Sequence, residues 1–305
     1  MSADTAAQPA APDTEEAGAT APNALVRRRR KKGMESEDKA GPLWAIGAWI
    51  LTLAFFAPVA WMVITSLHIE ADAASNPPSV FAPVTFENYG DLFDRNVLPY
   101  LLNSLIASGV STLLVLVLAV PAAYALSIRP VEKWTDVMFF FLSTKFLPPI
   151  AALLPIYLIV QNTGMLDNIF TLVILYTSMN LPIAVWMMRS FLIEVPVAIL
   201  ESASLDGAGL LRTLISVVAP IAAPGIAATS LICFIFSWNE FMFAVNLTSV
   251  DAATSPIFLV GFISSQGLFL AKLCAAATLV SLPVLIAGFA AQDKLVRGLS
   301  LGAVK

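Results

Sequence analysis

The predicted fold class is all-α: a polytopic membrane helix bundle with six transmembrane helices and both termini in the cytoplasm. Composition, segment length and charge placement predict it. Of 305 residues, 58% are hydrophobic and only 12% charged, against about 45–50% apolar and about 25% charged in a soluble chain. Such a chain cannot be mainly disordered, a nucleic-acid binder or an ordinary water-soluble enzyme. Two cysteines, Cys233 and Cys274, lie in apolar runs, which excludes a disulfide framework. One histidine, His68, excludes schemes that need a pair.

Residues 1–42 differ from the rest and are read as a disordered cytoplasmic tail. Ala, Pro, Asp, Glu and Thr dominate up to Asn23, followed by the basic run Arg27 to Lys32. A basic run just before an apolar span fixes membrane orientation, so nucleic acid is not an expected partner. A bilayer core of about 30 Å needs about 20 helical residues. Leu43 to Leu67 meets that, as do segments near 98–127, 138–160, 169–188, 216–245 and 270–291. With the N-terminus inside, fourteen of the seventeen basic residues fall in cytoplasmic segments. Only Arg95 falls in an outer gap, and Lys145 and Lys272 lie within spans. That asymmetry sets the topology. The predicted organisation is thus a tail (1–42), a six-span domain (43–292) and a cytoplasmic C-terminal tail (293–305).

Prolines interrupt several spans, among them Pro58, Pro121, Pro148-Pro149, Pro155, Pro182, Pro220, Pro224 and Pro283. Each removes a helical hydrogen bond, which a neighbouring helix or a water-lined cavity can satisfy. Both plain packing irregularity and a bundle built around a path fit that pattern. In the outer gap 67–97, Phe86, Tyr89, Leu92 and Phe93 make a short amphipathic helix suited to the membrane interface.

The cytoplasmic stretch of about 190–216 is the most informative. Pro196 suits a helix start, and Val197, Leu200, Ala203 and Leu205 form an apolar stripe at helical spacing. Asp206-Gly207 then breaks the helix, because glycine supplies the backbone freedom of a tight turn. Leu210, Leu211 and Leu214 open a second short helix that runs into Pro220. The expectation is a cytoplasmic helix–turn–helix with Glu201 and Asp206 near its tip.

Glu201-Ser202-Ala203-Ser204-Leu205-Asp206-Gly207-Ala208, with Pro220 and Pro224 at fixed distances beyond, resembles the coupling-loop signature of permease subunits of binding-protein-dependent ABC importers. Ser202 replaces an alanine of that pattern, and Leu214 stands where phenylalanine is frequent. Asn180-Leu181-Pro182, Trp186 and Arg189 before the loop, Trp238-Asn239-Glu240-Phe241 after it and the tail Arg297 to Lys305 are similar to the carbohydrate branch, and within it to six-span maltose-type permeases. The resemblance covers roughly residues 43–305.

The resemblance implies that the loop docks into a separate ATPase subunit, with Glu201, Ser202, Ala203, Asp206, Gly207 and Ala208 as coupling residues. It also implies that the tail residues Arg297, Gly302 and Lys305 reach the ATPase dimer. Two ATPase subunits, a second related permease and an extracytoplasmic sugar-binding protein are the implied partners, in a bacterial or archaeal inner membrane. The chain has no G-x-x-x-x-G-K-[ST] phosphate loop, so no cofactor is expected on it, and ATP and Mg²⁺ belong to the partner subunits. Ser265, Gln266 and Gly267 align with a loop that contacts the binding protein.

Ionisable groups inside spans are functional by default, which selects Lys145, although it can snorkel to the inner face. Lys272, nearer a span end, is expected to snorkel. Glu240 is expected to pair with a lysine, line an outer vestibule or serve the structure alone. Sugar hydroxyls need planar polar groups and aromatic faces, which Asn180, Trp186, Trp238 and Asn239 provide, although either tryptophan also suits packing. The run from Lys145 to Pro155, with Gln266 and the tail, resembles polyol (mannitol or sorbitol) members more than trehalose- or maltose-like disaccharide ones. An ion-coupled secondary transporter is the alternative. It needs midplane ion sites and inverted repeats, and it leaves the cytoplasmic loop idle.

Overall fold

The computed structural model describes residues 42–75, 81–128, 132–264 and 267–303. The tail read over residues 1–42 therefore lies almost wholly outside the described residues. The chain divides into two compact units, Met1–Val59 and Ala60–Lys305. Of the first, the described part is helical and belongs to α1 (Pro42–Ser66), with large apolar side chains such as Trp44, Trp49 and Phe55 exposed. At about 1.5 Å per residue its 25 residues exceed the hydrocarbon thickness.

Among its described residues, the second unit is built of helices with one pair of two-residue strands. Two short helices, α2 (Glu70–Ala73) and α3 (Glu87–Asp94), precede α4 (Val97–Ser127). Then come α5 (Trp134–Thr144), α6 (Pro149–Asn162) and α7 (Ile169–Leu192). The helix–turn–helix supplies α8 (Val197–Leu205) and α9 (Leu210–Ile221), followed by α10 (Ala223–Trp238). Short α11 (Met242–Leu247) and α12 (Ser255–Val260) lead to the strands β1 (Ile263–Ser264) and β2 (Gly267–Leu268), and α13 (Leu270–Ala303) ends the described chain.

Four helices, α1, α4, α7 and α13, are each long and apolar enough to cross a bilayer, and two bent pairs raise the number of candidate spans to six among the described residues. The bent pairs refine the sequence reading. The segment 138–160 is not one straight helix, because α5 and α6 meet at 85°. Pro148 precedes Pro149, and a residue before proline is pushed out of the helical region; Pro148 accordingly sits at φ −60°, ψ 127°. The segment 216–245 is likewise divided. α9 and α10 meet at 85°, and α10 stops at Trp238 before α11 begins. Ahead of Pro220, which has no N–H to donate, Thr213–Val218 widens into a π-helical turn.

The core lies where α4, α7 and α10 pack together, with α13 against α10. A stripe of small residues on α4 permits the close approach: Ser104, Ser108, Ser111, Ala119 and Ala123 are all buried. The small helix α3 packs on the bundle by one face. Leu92 is fully buried with Val97, Phe258 and Phe262, while Phe86 and Phe93 stay exposed. Lys272, expected to snorkel, forms an ion pair with Asp91, fastening α3 to α13.

Candidate functional site

The helix–turn–helix gives the signature a geometric meaning. Asp206 caps α8, and Gly207 follows in the left-handed region at φ +73°. The Gly207 N–H donates to the Ser204 carbonyl (3.1 Å) and the Ala208 N–H to the Ala203 carbonyl (2.9 Å). These two bonds define a Schellman cap, which favours glycine at the left-handed position. The spacing from Glu201 to Ala208 thus encodes a helix stop of fixed geometry. Ser202, the departure from the resembled pattern, turns its hydroxyl back onto the Ala198 carbonyl (2.8 Å) and leaves the turn intact.

The motif is fastened on one side and bare on the other. Leu214, Val218 and Ala222 are buried against Ala123 and Tyr124 of α4 and Met188 and Leu192 of α7, with Leu200 of α8 packed on that cluster. A cavity of about 260 Å³ lies between α8, α9 and the end of α4, and Glu201 faces it. At the tip Leu205 is 89% exposed, and Leu210 and Leu211 are also exposed. Exposed apolar side chains are thus gathered on a hydrogen-bonded turn. Arg189 secures the base of this assembly. Its Nε donates to the Leu126 carbonyl at the end of α4 (3.1 Å), and its guanidinium lies 3.9 Å from the Trp134 ring centre.

The six residues expected along a path do not converge. Asn180 is completely buried, with Nδ2 bonded to Ser237 Oγ (2.9 Å) and to the Tyr176 carbonyl (3.0 Å), so it locks α7 to α10. Trp238 is buried and stacks on Phe234. Asn239 donates to the Ile235 carbonyl of its own helix. Glu240 neither pairs with a lysine nor stands free; its carboxylate accepts from the N–H groups of Phe243 and Ala244 and caps α11. Lys145 and Trp186 come together, lining an apolar cleft of about 280 Å³ between α5 and α7. Lys145 Nζ donates to the Met179 carbonyl (2.7 Å), one turn before Pro182.

Ser265, Gln266 and Lys305 lie outside the described residues. Gly267 pairs with Ser264 and Leu268 with Ile263 in a minimal antiparallel strand pair. Arg297 and Gly302 lie on the continuous helix α13, with no break at residue 293.

Asp167, which composition and spacing did not single out, is the most elaborately bonded carboxylate described. Its two oxygens accept from the N–H groups of Ser249, Val250, Asp251 and Ala252 at 2.8–3.0 Å. Burial raises its pKa, and the four backbone bonds overcome that and pull it down to about 2. The carboxylate therefore supports the fold at every pH above the ordinary value of 3.8 and loses that role as pH falls through about 2. Its partners stand more than eighty positions away in sequence, which is why no local pattern announced it.

Comparison with known proteins agrees with this architecture. The family model described as "Binding-protein-dependent transport system inner membrane component" matches residues 115–300. A probable ABC transporter permease protein of Sinorhizobium fredii is 34% identical over 86% of this chain and 95% of its own length. The melibiose/raffinose/stachyose import permease protein MelC of Bacillus subtilis is 29% identical over 85% of this chain and 94% of its own. The trehalose transport system permease protein SugB of Mycobacterium tuberculosis is 28% identical over 86% and 97%. Among solved structures, a chain of a bacterial ABC transporter involved in import of the acidic polysaccharide alginate superposes with a TM-score of 0.69 at 22% identity. That match covers 85% of this chain and 97% of the other, and it bears on the fold alone. No relative named here carries a sugar-alcohol name, so the polyol expectation gains no support. With more than half of the chain matched and a relative above 30% identity nearly end to end, this chain belongs to the family of binding-protein-dependent transport system inner membrane components.

Proposed function

We propose that this chain is the membrane-spanning permease subunit of an ATP-driven importer that moves a sugar from an extracytoplasmic binding protein to the cytoplasm. The observation that carries the reading is the Schellman-capped turn at Gly207, standing on a bare apolar tip yet rooted in the packed ends of α4, α7 and α9. A part so built transmits force. Its tip is free to dock, and its base cannot move without moving the bundle.

In this reading the tip of α8 and α9 faces the cytoplasm, as the basic-residue count requires, and engages a separate ATPase subunit. Glu201, Ser202, Ala203, Asp206, Gly207 and Ala208 form the coupling surface, with the end of α13 as a second contact. Closure of two ATPase subunits on ATP and Mg²⁺ would swing the lever and switch the bundle, with a second permease, between inward and outward access. The carbohydrate names of the relatives point to a di- or oligosaccharide. An ion-coupled secondary transporter is not favoured, because it leaves the lever without a purpose.

The test is reconstitution of the whole complex in proteoliposomes with its binding protein. ATP-dependent uptake from a panel containing trehalose, maltose, melibiose and raffinose is the expected result. Full uptake without the ATPase subunits, or labelling of a cysteine at position 206 from the outer side, would overturn the reading. Lys145 and Trp186 are proposed to line the path. Lys145→Met keeps the apolar stem and removes only the ammonium. We expect thermal stability within about 0.5 kcal/mol of the parent, as for a surface change, but uptake with a raised KM. An unchanged KM would remove Lys145 from the path.

A further inference from the structure

We propose that Asp167 is a positioning residue that holds the 249–252 loop as a preformed tip for docking the extracytoplasmic binding protein; the inference rests on the importer reading above. Asp167 lies just before α7, and the lever begins just after it, so α7 carries one of the two features at each end. Twenty-four residues at about 1.5 Å each put them some 36 Å apart. If the lever faces the cytoplasm, the 249–252 loop faces outward.

The loop is built to be rigid without regular structure. Asp167 itself has φ +54°, a left-handed conformation unusual for a residue other than glycine, and its N–H is tied to the Leu247 carbonyl at 2.8 Å. From that position its carboxylate gathers four successive N–H groups. On the other flank Asn103 Nδ2 donates to the Asp251 and Ala253 carbonyls (2.9 and 3.0 Å), and the Ser255 N–H donates to Ser104 Oγ (2.7 Å). With every N–H from 249 to 252 turned inward, the outward surface is made of side chains. Val250 is held there 77% exposed beside exposed Ser249 and Asp251.

The loop thus holds an apolar side chain bare on an ordered backbone. It suits docking, because a loop ordered beforehand loses no further freedom when the partner binds. The partner is a soluble protein that offers an apolar spot beside hydrogen-bond donors for the exposed Ser249 and Asp251 side chains. On the outer side of an importer, that partner is the binding protein.

The experiment uses the complete transporter in lipid nanodiscs and measures ATPase rate against concentration of the purified binding protein. Asp167→Ala should raise the half-saturating concentration about tenfold, leaving basal and maximal rates unchanged. Asp167→Asn, which keeps one acceptor oxygen, should shift it less. Val250→Asp leaves the clamp untouched and should shift it comparably, which guards against a folding defect in the first variant. Hydrogen exchange at amides 249–252 should accelerate in Asp167→Ala and stay slow in Val250→Asp. If the exchange changes while half-saturation does not, the clamp is only structural and the proposal falls. If Val250→Asp binds like the parent, the tip is not the contact and the proposal falls. If the unmodified transporter is not stimulated at all, the importer reading itself fails first.

Discussion

Gly207→Asp and Gly207→Asn are expected to insert and fold while losing coupling, with binding-protein-stimulated ATPase and uptake falling by at least about tenfold. That is the size expected for a disrupted contact at the centre of an interface. Within the chain, a Cβ at this position meets nothing within 4 Å, so no internal clash arises. The conformational penalty is that of φ +73°, about 1 kcal/mol for most residues and less for asparagine, which adopts this region readily. Neither magnitude removes a bundle whose core lies elsewhere. What the side chain does disturb is the outer face of the turn, among the bare Leu205, Leu210 and Leu211. The asparagine variant therefore separates backbone conformation from docking. Thermal stability close to the parent with coupling lost assigns the glycine to the interface. Stability and coupling lost in proportion would mean that the turn serves only the fold, and normal stimulation would remove the lever from the mechanism.

The parts of this molecule that were legible beforehand are those whose physics is local. Hydropathy over about 20 residues located six apolar segments, and Asp206-Gly207 located the turn, because only a few backbone conformations follow a glycine at that spacing. The breaks were visible as prolines, but their angle was not. Pro155 and Pro182 lie inside continuous helices, whereas Pro148-Pro149 accompanies an 85° bend. The difference is that Pro148, placed before a second proline, is itself denied the helical conformation. Residues whose partners the fold decides were less legible. Asn180 and Glu240 carry polar groups that suit a sugar, yet the fold uses one as a lock between helices and the other as a cap. Asp167 showed nothing in its own neighbourhood, since its bonds are all to residues beyond 246. Polar residues in a membrane bundle must be satisfied by something, and sequence alone does not say whether a substrate or the backbone will do it.

Gly225→Ala should be the most destabilising small substitution in the bundle, by about 3 kcal/mol, the upper range for overpacking a core. Two effects oppose each other. Alanine favours a helix over glycine by about 1 kcal/mol, so by propensity alone the change in α10 would stabilise. The added Cβ, however, would stand 2.4 Å from Phe191 Cγ and 2.7 Å from its Cβ. Those atoms are the root of the side chain, not a flexible end, so no rotation of the ring relieves the overlap. α10 must withdraw from α7, and it starts directly after the 85° bend. Ala222 and Ile226, on either side of Gly225, belong to the cluster that seats the lever through Leu192 and Val218. A displacement there loosens the lever as well as the fold. Thermal unfolding in detergent, followed by thiol labelling of the fully buried Cys233, should show a lower midpoint for Gly225→Ala. Most of the loss should return in the double variant Phe191→Ala with Gly225→Ala, because the two positions share one space. A midpoint at or above that of the parent would mean that helix propensity outweighs the clash, and that the close approach of α10 to α7 does not depend on the glycine.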